Sequence, residues 1–186
     1  MLEIEGAAAT LRPFSFRGRA MEVRLESAAE KRATVENLFQ FYVHDFTEFW
    51  TERRVELGED GRLPPYPPLE AYWHEAGGEP LLIRGDGNVA GFVLIDRHSH
   101  SGRPTDFNMG EFFVARHYRR EGVGRAAALA ALGERPGRWE LAVARRNTGA
   151  QAFWRAVAAE VADGAVEEID QDDERWNGLI LRLRVA

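Results

Sequence analysis

EFFVARHYRREGVGRAAALAAL, residues 111–132, carries more information about the fold than any other part of the chain. Its apolar start predicts a strand near residues 108–115, a basic loop follows, and Gly122 and Gly124 open an alanine-rich helix predicted over residues 122–132. Glycines let a bound group approach the backbone closely, and the first turn of a helix presents amide N–H groups without intrahelical partners. Together with the positive end of the helix dipole, these features predict a pyrophosphate site between strand and helix.

Two other interpretations of this stretch stay open. The glycines can simply permit a tight turn between strand and helix, with the neighbouring arginines solvated. Residues 122–127 (GVGRAA) also satisfy the G-x-G-x-x-A pattern of dinucleotide sites. Against a dinucleotide site, a six-residue basic loop separates Ala115 from Gly122, whereas the dinucleotide turn is tight. Only about 60 residues follow the motif, too few for the usual six-stranded sheet.

The rest of the chain supplies further strands and helices around this segment. The predicted order is β-α-α-β-β-β-α-β-α-β-β, with Ser27 and Glu30 spaced as a capping box that opens the first helix. This order predicts an α/β (α+β) fold with a mixed central sheet of about seven strands flanked by about four helices. We expect residues 21–186 to form a single domain. Residues 1–20 show no sustained apolar period and are expected to be a flexible extension.

Composition narrows the classes of function. The chain has 24 basic and 30 acidic residues and a net charge of −6, which disfavours general nucleic-acid binding because a polyanion is repelled. It has no cysteine, so disulfides, thiolate metal sites and cysteine nucleophiles are excluded. No apolar run approaches the roughly 18 residues of a membrane span. His98 and His100 lack an evident third ligand, so we expect no metal site, and we expect a cytoplasmic protein with neither nucleic-acid nor membrane partners.

Two motifs resemble those of the GNAT acetyltransferase superfamily. Residues 119–124 (RREGVG) match its [Q/R]-x-x-G-x-[G/A] signature after the fourth strand. Residues 147–154 (NTGAQAFW) resemble its later N-x-x-A-x-x-[FL]-[YW] segment after the fifth strand. The resemblance covers roughly residues 22–185, and further segments look like a little-characterised bacterial branch known as predicted acetyltransferases. It implies a GNAT-like sheet with splayed strands 4 and 5 and an acetyl-CoA-dependent N-acetyltransferase.

The resemblance also implies where acetyl-CoA, the co-substrate, binds. We call residues 119–125 the phosphate cradle: the amides of Gly122–Arg125 hold the pyrophosphate, and the arginines at 119, 120 and 125 add positive charge. The edge of strand 4 pairs with the pantetheine amides, much as a peptide extends a sheet. Asn147 bonds the cofactor arm, caps the following helix, or does both. The implied cofactor-binding residues are Phe113, Val114, Ala115, Arg119, Arg120, Gly122, Val123, Gly124, Arg125 and Asn147.

Acetyl transfer to an amine needs a group that takes the ammonium proton and, on departure of the thiolate, a proton donor. Glu111 is the candidate base because it is an isolated carboxylate in an apolar run; the alternative is a structural pairing with an arginine. Many relatives have a tyrosine where this chain has Trp154, and an indole N–H is no acid at neutral pH. Tyr118 is therefore the candidate acid, with Tyr42 and Tyr72 as alternatives; otherwise coenzyme A leaves as a thiolate and is protonated by water.

The acceptor site is expected on the first helix and the loop that follows it. Tyr42, Asp45 and Phe49 are the candidate substrate-binding residues, since aromatic rings and a carboxylate suit an amine with an apolar body. The alternative is that the aromatic side chains belong to the core. The implied substrate is a primary amine of a small molecule or peptide. A non-catalytic acyl-CoA-binding module stays open as a second function, and an exposed edge of the C-terminal strands leaves a homodimer open.

Overall fold

The computed structural model describes residues 21–49 and 54–186, so the expected extension over residues 1–20 lies outside the described part. The described residues form seven strands and four α-helices in the predicted order. The strands are β1 (Val23–Ser27), β2 (Glu79–Gly85), β3 (Asn88–Asp96), β4 (Phe107–Val114), β5 (Gly137–Ala144), β6 (Glu167–Asp172) and β7 (Asn177–Val185). The helices are α1 (Arg32–Phe46), α2 (Ala71–His74), α3 (Val123–Gly133) and α4 (Thr148–Val161), with 3-10 turns at Pro67–Glu70 and Arg116–Tyr118.

The strands form one mixed sheet in the order β1-β2-β3-β4-β5-β7-β6. Every neighbouring pair is antiparallel except β4 and β5, which run parallel. Helices α3 and α4 pack on one face of this sheet, and α1 and α2 pack on the other. The architecture confirms the predicted α/β fold with a seven-stranded mixed sheet and four helices.

Small side chains explain how α3 fits against the sheet. Ala127, Ala128 and Ala131 are fully buried, and their spacing places them on one side of the helix. Alanine brings the helix axis close to the sheet at no cost in side-chain entropy. On the opposite face, α1 buries Val35 and Phe39 at the same four-residue spacing. The two helices therefore hold the sheet from both sides.

The start of α1 differs from the sequence prediction. Ser27 is the last residue of β1, where it pairs with Leu81. The helix begins at Arg32 with Lys31 at its N-cap and no side-chain cap. The predicted capping box of Ser27 and Glu30 is wrong, because strand pairing with β2 claims the backbone of Ser27.

The parallel pair β4–β5 is joined over a very short length. The register contains only the pairs Phe107–Trp139 and Asn108–Glu140. Beyond Asn108 the two strands diverge, so the edge of β4 that faces β5 has no strand partner from Met109 onward. This is the predicted splay, and it opens a gap in the middle of the sheet.

A β-bulge at Gly110 changes the direction of β4 at the point where the gap begins. Leu94 pairs with Glu111 and Ile95 with Met109, which leaves Gly110 as the extra residue. A Cβ atom on Gly110 would overlap the Tyr72 hydroxyl and lie 2.7 Å from Asp96 Oδ2. Glycine is therefore required here, and the bulge brings β4 directly beneath polar groups of α2 and β3.

Candidate active site

The gap between β4 and β5 opens into a cavity of about 1020 Å³. Its walls come from β4, β5, α1, α2, the segment around Tyr66, the end of β3 with the loop after it, the start of α4 and the turn before β7. The lining side chains that carry polar or ionisable groups are Tyr42, Tyr66, Tyr72, Glu75, Asp96, Arg97, His98, His100, Asn108, Glu111, Asn147, Trp154, Trp176 and Asn177. A site of this size can take a small molecule or a peptide end.

Glu111 lies immediately after the bulge, with its partly buried side chain in the cavity wall. The Tyr42 hydroxyl donates a hydrogen bond to Glu111 Oε2, and the Tyr66 hydroxyl contributes a second. Burial raises the pKa of Glu111 to about 7; the two tyrosines oppose this rise, and the charge of Asp96 adds to it. A carboxyl with a pKa near neutrality is suited to accept a proton during a reaction.

A second carboxylate, Asp96, lies across the bulge from Glu111. Its Oδ1 accepts hydrogen bonds from Asn108 Nδ2 at 2.9 Å and from the backbone N–H of His98 at 2.8 Å. The Tyr72 hydroxyl also interacts with Asp96. Asp96 is thus held by donors on three elements, which fixes a negative charge close to Glu111.

The three tyrosines of this wall are kept protonated by their surroundings. Burial raises the pKa of each phenol, and the nearby carboxylates Glu111 and Asp96 raise the pKa values of Tyr66 and Tyr72 further. The pKa of Tyr42 is raised in the same way, first by burial and then by Glu111. At neutral pH these hydroxyls therefore act as hydrogen-bond donors to the carboxylates.

Aromatic packing on α1 fixes the position of Tyr42. Its ring centroid lies 5.1 Å from that of Phe39, 4.9 Å from that of Phe46 and 5.7 Å from that of Phe92. Tyr42 thus belongs to the core through its ring and to the cavity through its hydroxyl. The two interpretations of this residue in the sequence describe different parts of the same side chain.

The start of α3 leaves backbone donors open in the phosphate cradle. Gly122 is the N-cap, with a left-handed φ of 80°, and no side chain caps the helix. The amide of Ala126 makes the first bond along the helix, to the carbonyl of Gly122 at 3.0 Å. The amides of Val123, Gly124 and Arg125 precede it and so have no intrahelical partner. A Cβ atom on Gly122 would meet nothing within 4 Å, so an anion can approach these donors.

The arginines of the cradle differ in how they are held. Arg125 donates from Nε to Glu160 of α4 at 2.9 Å, and Arg119 donates from Nε to the carbonyl of Val114 at 2.7 Å. Arg120 has a positive φ of 65°, is exposed, and forms no ion pair with any residue that the structure describes. Arg120 is therefore the cradle cation with the least competition from protein carboxylates.

The candidate residue Asp45 lies outside the cavity lining. Its carboxylate binds Arg116 at 2.8 Å and also Arg119, which ties the end of α1 to the loop after β4. Burial alone would raise the pKa of Asp45, but the hydrogen bonds from these two arginines outweigh it and hold the pKa below its usual value. Phe49 packs at 5.7 Å on the ring of Phe46 and does not line the cavity either.

Tyr118, the candidate acid, is placed on another side of the sheet. Its ring packs beside Gly85, within 3.3 Å of where a Cβ atom on that residue would lie. Tyr118 contacts the core beneath α3 and α4 and is not among the cavity-lining residues. The structure therefore brings Tyr42 to Glu111 but does not bring Tyr118 there.

Asn147 and Trp154 line the cavity from α4. Asn147 Oδ1 accepts a hydrogen bond from the amide of Ala150 at 3.0 Å, which makes Asn147 the N-cap of α4. Trp154 is buried, and its ring meets that of Phe112 edge-on at 5.1 Å. These contacts give both residues a structural role beside any contact with a ligand.

The sequence did not single out Tyr66, Asp96, Asn108 or Trp176 as site residues. Tyr66 lies in a proline-rich segment, and Asp96 ends a strand, so neither position carries a local motif. Asn108 offered one signal, as an amide in an apolar strand next to the expected splay.

Neither a metal cluster nor a membrane-spanning helix is found in the described residues. No three of their His, Asp and Glu side chains converge in a way that could hold a metal ion. No helix in residues 21–49 and 54–186 has both the length and the apolar character that crossing a bilayer requires.

Comparisons with known proteins identify the family. The chain matches the family model of the acetyltransferase (GNAT) family over residues 35–158. Its structure is similar to an acetyltransferase from Thermus thermophilus, with a TM-score of 0.63, 14% identity and coverage of 90% of this chain and 99% of that one. It is also similar to the PaiA N-acetyltransferase from Thermoplasma acidophilum in complex with coenzyme A, with a TM-score of 0.57, 11% identity and coverage of 88% and 99%.

At these identities the solved structures establish the fold alone, and no curated protein matches the chain. The family model spans more than half of the sequence and includes β4, the cradle and most of α4. The chain therefore belongs to the GNAT family of acetyltransferases, whose members take their acetyl group from acetyl-CoA.

Proposed function

We propose that the protein is an acetyl-CoA-dependent N-acetyltransferase that acts on a primary amine of a small molecule or peptide. The observation that carries this proposal is the partly buried Glu111 carboxyl, which lines the cavity at the splay of β4 and β5 and has its pKa raised to about 7. No arginine side chain bonds this carboxyl within the described residues. The structural alternative for Glu111, a pairing with arginine, is thereby disfavoured.

The cofactor side rests on the open backbone donors next to β4. The amides of Val123, Gly124 and Arg125 suit the pyrophosphate, and Arg120 adds an uncommitted positive charge. The unpaired edge of β4 from Met109 onward suits the peptide-like pantetheine arm. Bound in this way, acetyl-CoA supplies the acetyl group as a thioester at the gap between the strands.

Glu111 would act on the acceptor before bond formation. An ammonium ion has no lone pair, so Glu111 takes one proton from it, and the neutral nitrogen then attacks the thioester carbonyl. The new N–C bond forms as the C–S bond breaks, and the proton on Glu111 is passed to solvent. Backbone N–H groups near Val114 would stabilise the oxyanion.

The nitrogen loses a second proton as the C–S bond breaks, and the departing thiolate takes up one, so the products are the N-acetylated amine, free coenzyme A and the proton that Glu111 passed to solvent. Tyr118 is not in the cavity wall, so this proton is assigned to a cavity hydroxyl or to water. Tyr42, Tyr66 and Tyr72 are the phenols that line the cavity. The cytoplasmic location and a homodimer formed through a free sheet edge stay predictions.

The experiment that tests this function measures the release of free coenzyme A with a panel of primary amines. We expect Glu111→Gln to lower kcat by about 100-fold, as for loss of a working base, while the Kd for acetyl-CoA stays unchanged. Glu30→Gln makes the same chemical change at an exposed carboxyl and is the matched control.

Two results would contradict the proposal. Binding of acetyl-CoA without turnover of any amine would identify a non-catalytic acyl-CoA-binding module. Equal rates for the wild type and Glu111→Gln would make Glu111 structural.

A further inference from the structure

Three buried polar atoms in the described part of the chain have no hydrogen-bond partner. They are His100 Nδ1, Asn108 Oδ1 and Trp176 Nε1, and all three residues line the cavity that contains Glu111. A buried polar atom without a partner costs free energy, and native proteins leave few of them. Their concentration in one wall indicates that a ligand group completes them. We call these residues the distal trio.

The fold holds the distal trio together from three segments. Asn108 is 1% exposed and is the register partner of Glu140 on β5. Glu140 Oε2 accepts a hydrogen bond from the backbone N–H of His100 at 2.8 Å, which places His100 near Asn108. The ring of Trp176, from the turn before β7, lies 4.6 Å from the ring of His100.

The loop that carries His100 is anchored rather than loose. Ser99 Oγ donates to Glu140 Oε1 at 3.0 Å, and the Ser101 hydroxyl and the Arg182 guanidinium bond the same carboxylate. Glu140 is fully buried on β5, so these contacts attach the loop of residues 99–101 to the sheet. The distal trio is therefore formed before any ligand arrives, which lowers the cost of ordering on binding.

The neighbours of each unpaired atom decide whether it donates or accepts. Asn108 donates from Nδ2 to the carboxylate of Asp96, so its free Oδ1 is an acceptor. The imidazole of His100 donates to the backbone carbonyl of Arg175, so in the neutral ring Nδ1 is an acceptor. Trp176 Nε1 can only donate. The distal trio thus offers two acceptors and one donor.

Few chemical groups complement two acceptors and one donor. A primary carboxamide has two N–H donors and one carbonyl oxygen, which matches all three atoms. A carboxylate brings no donor and would lie near the carboxylate of Asp96, to which Asn108 donates, and an ammonium ion leaves the indole N–H of Trp176 unpaired. An alkyl group satisfies none of the three atoms.

We propose that the distal trio is a carboxamide subsite, and that the acceptor is an amine whose far end is an uncharged primary amide. This inference rests on the proposed function, because Glu111 in the wall of the same cavity would receive the amine. The subsite would select the acceptor by leaving buried groups unpaired with any other substrate.

The test compares four amines of equal chain length that differ only at the far end. For chains of three to six carbons these are the ω-amino carboxamide, the ω-amino acid, the α,ω-diamine and the n-alkylamine. We expect the carboxamide to have the highest kcat/KM. We expect Trp176→Phe, which removes one N–H donor, to lower the ratio of carboxamide to alkylamine kcat/KM by about 10-fold. An unchanged ratio, or a better acid or diamine, overturns the subsite.

Trp73→Phe is the matched control. It removes an indole N–H that donates to the carbonyl of Ala28 at 3.1 Å and does not line the cavity. The ratio should keep its wild-type value in this variant.

A second measurement needs no turnover and separates the two proposals. Titration calorimetry with pentanamide and pentanoate should show binding of the amide alone, weakened by about 10-fold in Trp176→Phe. Trp176-dependent binding of pentanamide without acetylation of any amine leaves the subsite standing while the proposed function fails. An absence of pentanamide binding overturns the subsite whether or not amines are acetylated.

Discussion

The phosphate cradle and the cavity wall around Glu111, which we call the acceptor wall, both lie next to β4. They differ in whether backbone or side-chain groups would contact the ligand. The cradle is one continuous segment, residues 119–125, and its open donors are backbone N–H groups. The acceptor wall is made of side chains from α1, α2, β3, β4 and the segment around Tyr66. The cradle should therefore respond to the volume of its side chains and the wall to the loss of single polar atoms.

The largest expected effect is on the cradle. We expect Gly124→Leu to raise the Kd for acetyl-CoA by about 1,000-fold, because a bulky side chain blocks at least two charge-assisted hydrogen bonds to phosphate. A Cβ atom at Gly124 makes only ordinary contacts, 3.6 Å from Val114 and 3.7 Å from Phe153, so the fold should persist. Calorimetric titration with acetyl-CoA measures the effect.

Gly133→Leu, at an open position of the same helix, should bind acetyl-CoA as the wild type does. An unchanged Kd in Gly124→Leu would show that the cradle does not bind the pyrophosphate of acetyl-CoA.

The next effect concerns the acceptor wall, where Glu111 should make the free energy of unfolding depend on pH. The pKa of Glu111 is raised in the folded chain from 4.5 to about 7, so the folded protein binds more protons than the unfolded one between these values. Stability from this residue is then greatest below pH 4.5 and falls as the pH rises through 7. We expect the free energy of unfolding of Glu111→Gln to exceed that of the wild type by about 3 kcal/mol at pH 8. Near pH 4 this difference should be absent.

Urea denaturation at both pH values measures this difference. If Glu111→Gln is no more stable than the wild type at pH 8, the carboxyl is not desolvated in the native protein.

Loss of one hydroxyl of the acceptor wall, that of Tyr42, should also change the rate of acetyl transfer. The Tyr42 hydroxyl opposes the rise in the pKa of Glu111, so Tyr42→Phe should move the acidic limb of the pH–rate profile to higher pH. We expect the rate at pH 7 to fall by about 10-fold, the worth of about one hydrogen bond to a charged group. Tyr118→Phe is the matched control and should leave the profile unchanged. A fall with Tyr118→Phe instead would restore Tyr118 as the acid.

The smallest effect concerns the contact that joins the two regions. Asp45 binds Arg116 and Arg119 near the surface, so Asp45→Asn should cost less than about 1 kcal/mol of stability. We also expect KM for the amine to change by less than about 2-fold, since ion pairs near the surface contribute little and Asp45 does not line the cavity. A rise of 10-fold or more in KM would instead support the role of Asp45 in acceptor binding that its position on the first helix suggested.

The same contrast explains what the sequence could predict. The cradle could be found because two glycines and the helix that follows act through neighbouring backbone atoms, so a contiguous motif describes them. The order of strands and helices was predictable for the same reason, since each element has its own local pattern. Glu111 could be found because a carboxylate in an apolar strand conflicts with its surroundings.

The acceptor wall could not be assembled in this way. Tyr66, Asp96 and Asn108 meet only because the bulge at Gly110 and the pairing of β3 with β4 bring them together. Asp45 had the right chemistry for an amine, but arginines from a distant loop neutralise it in the folded chain. Contacts between distant segments depend on the whole packing, and no local spacing records them.

The role of Glu111 as the base is tested most simply by comparing the pH dependence of acetyl transfer in the wild type and in Glu111→Gln, at saturating acetyl-CoA. The ratio of the two rates removes the titration of the amine itself. We expect this ratio to be large above pH 7 and to fall about 10-fold per pH unit below it, as Glu111 becomes protonated. A ratio that stays constant from pH 5 to pH 9 would show that Glu111 is not the base.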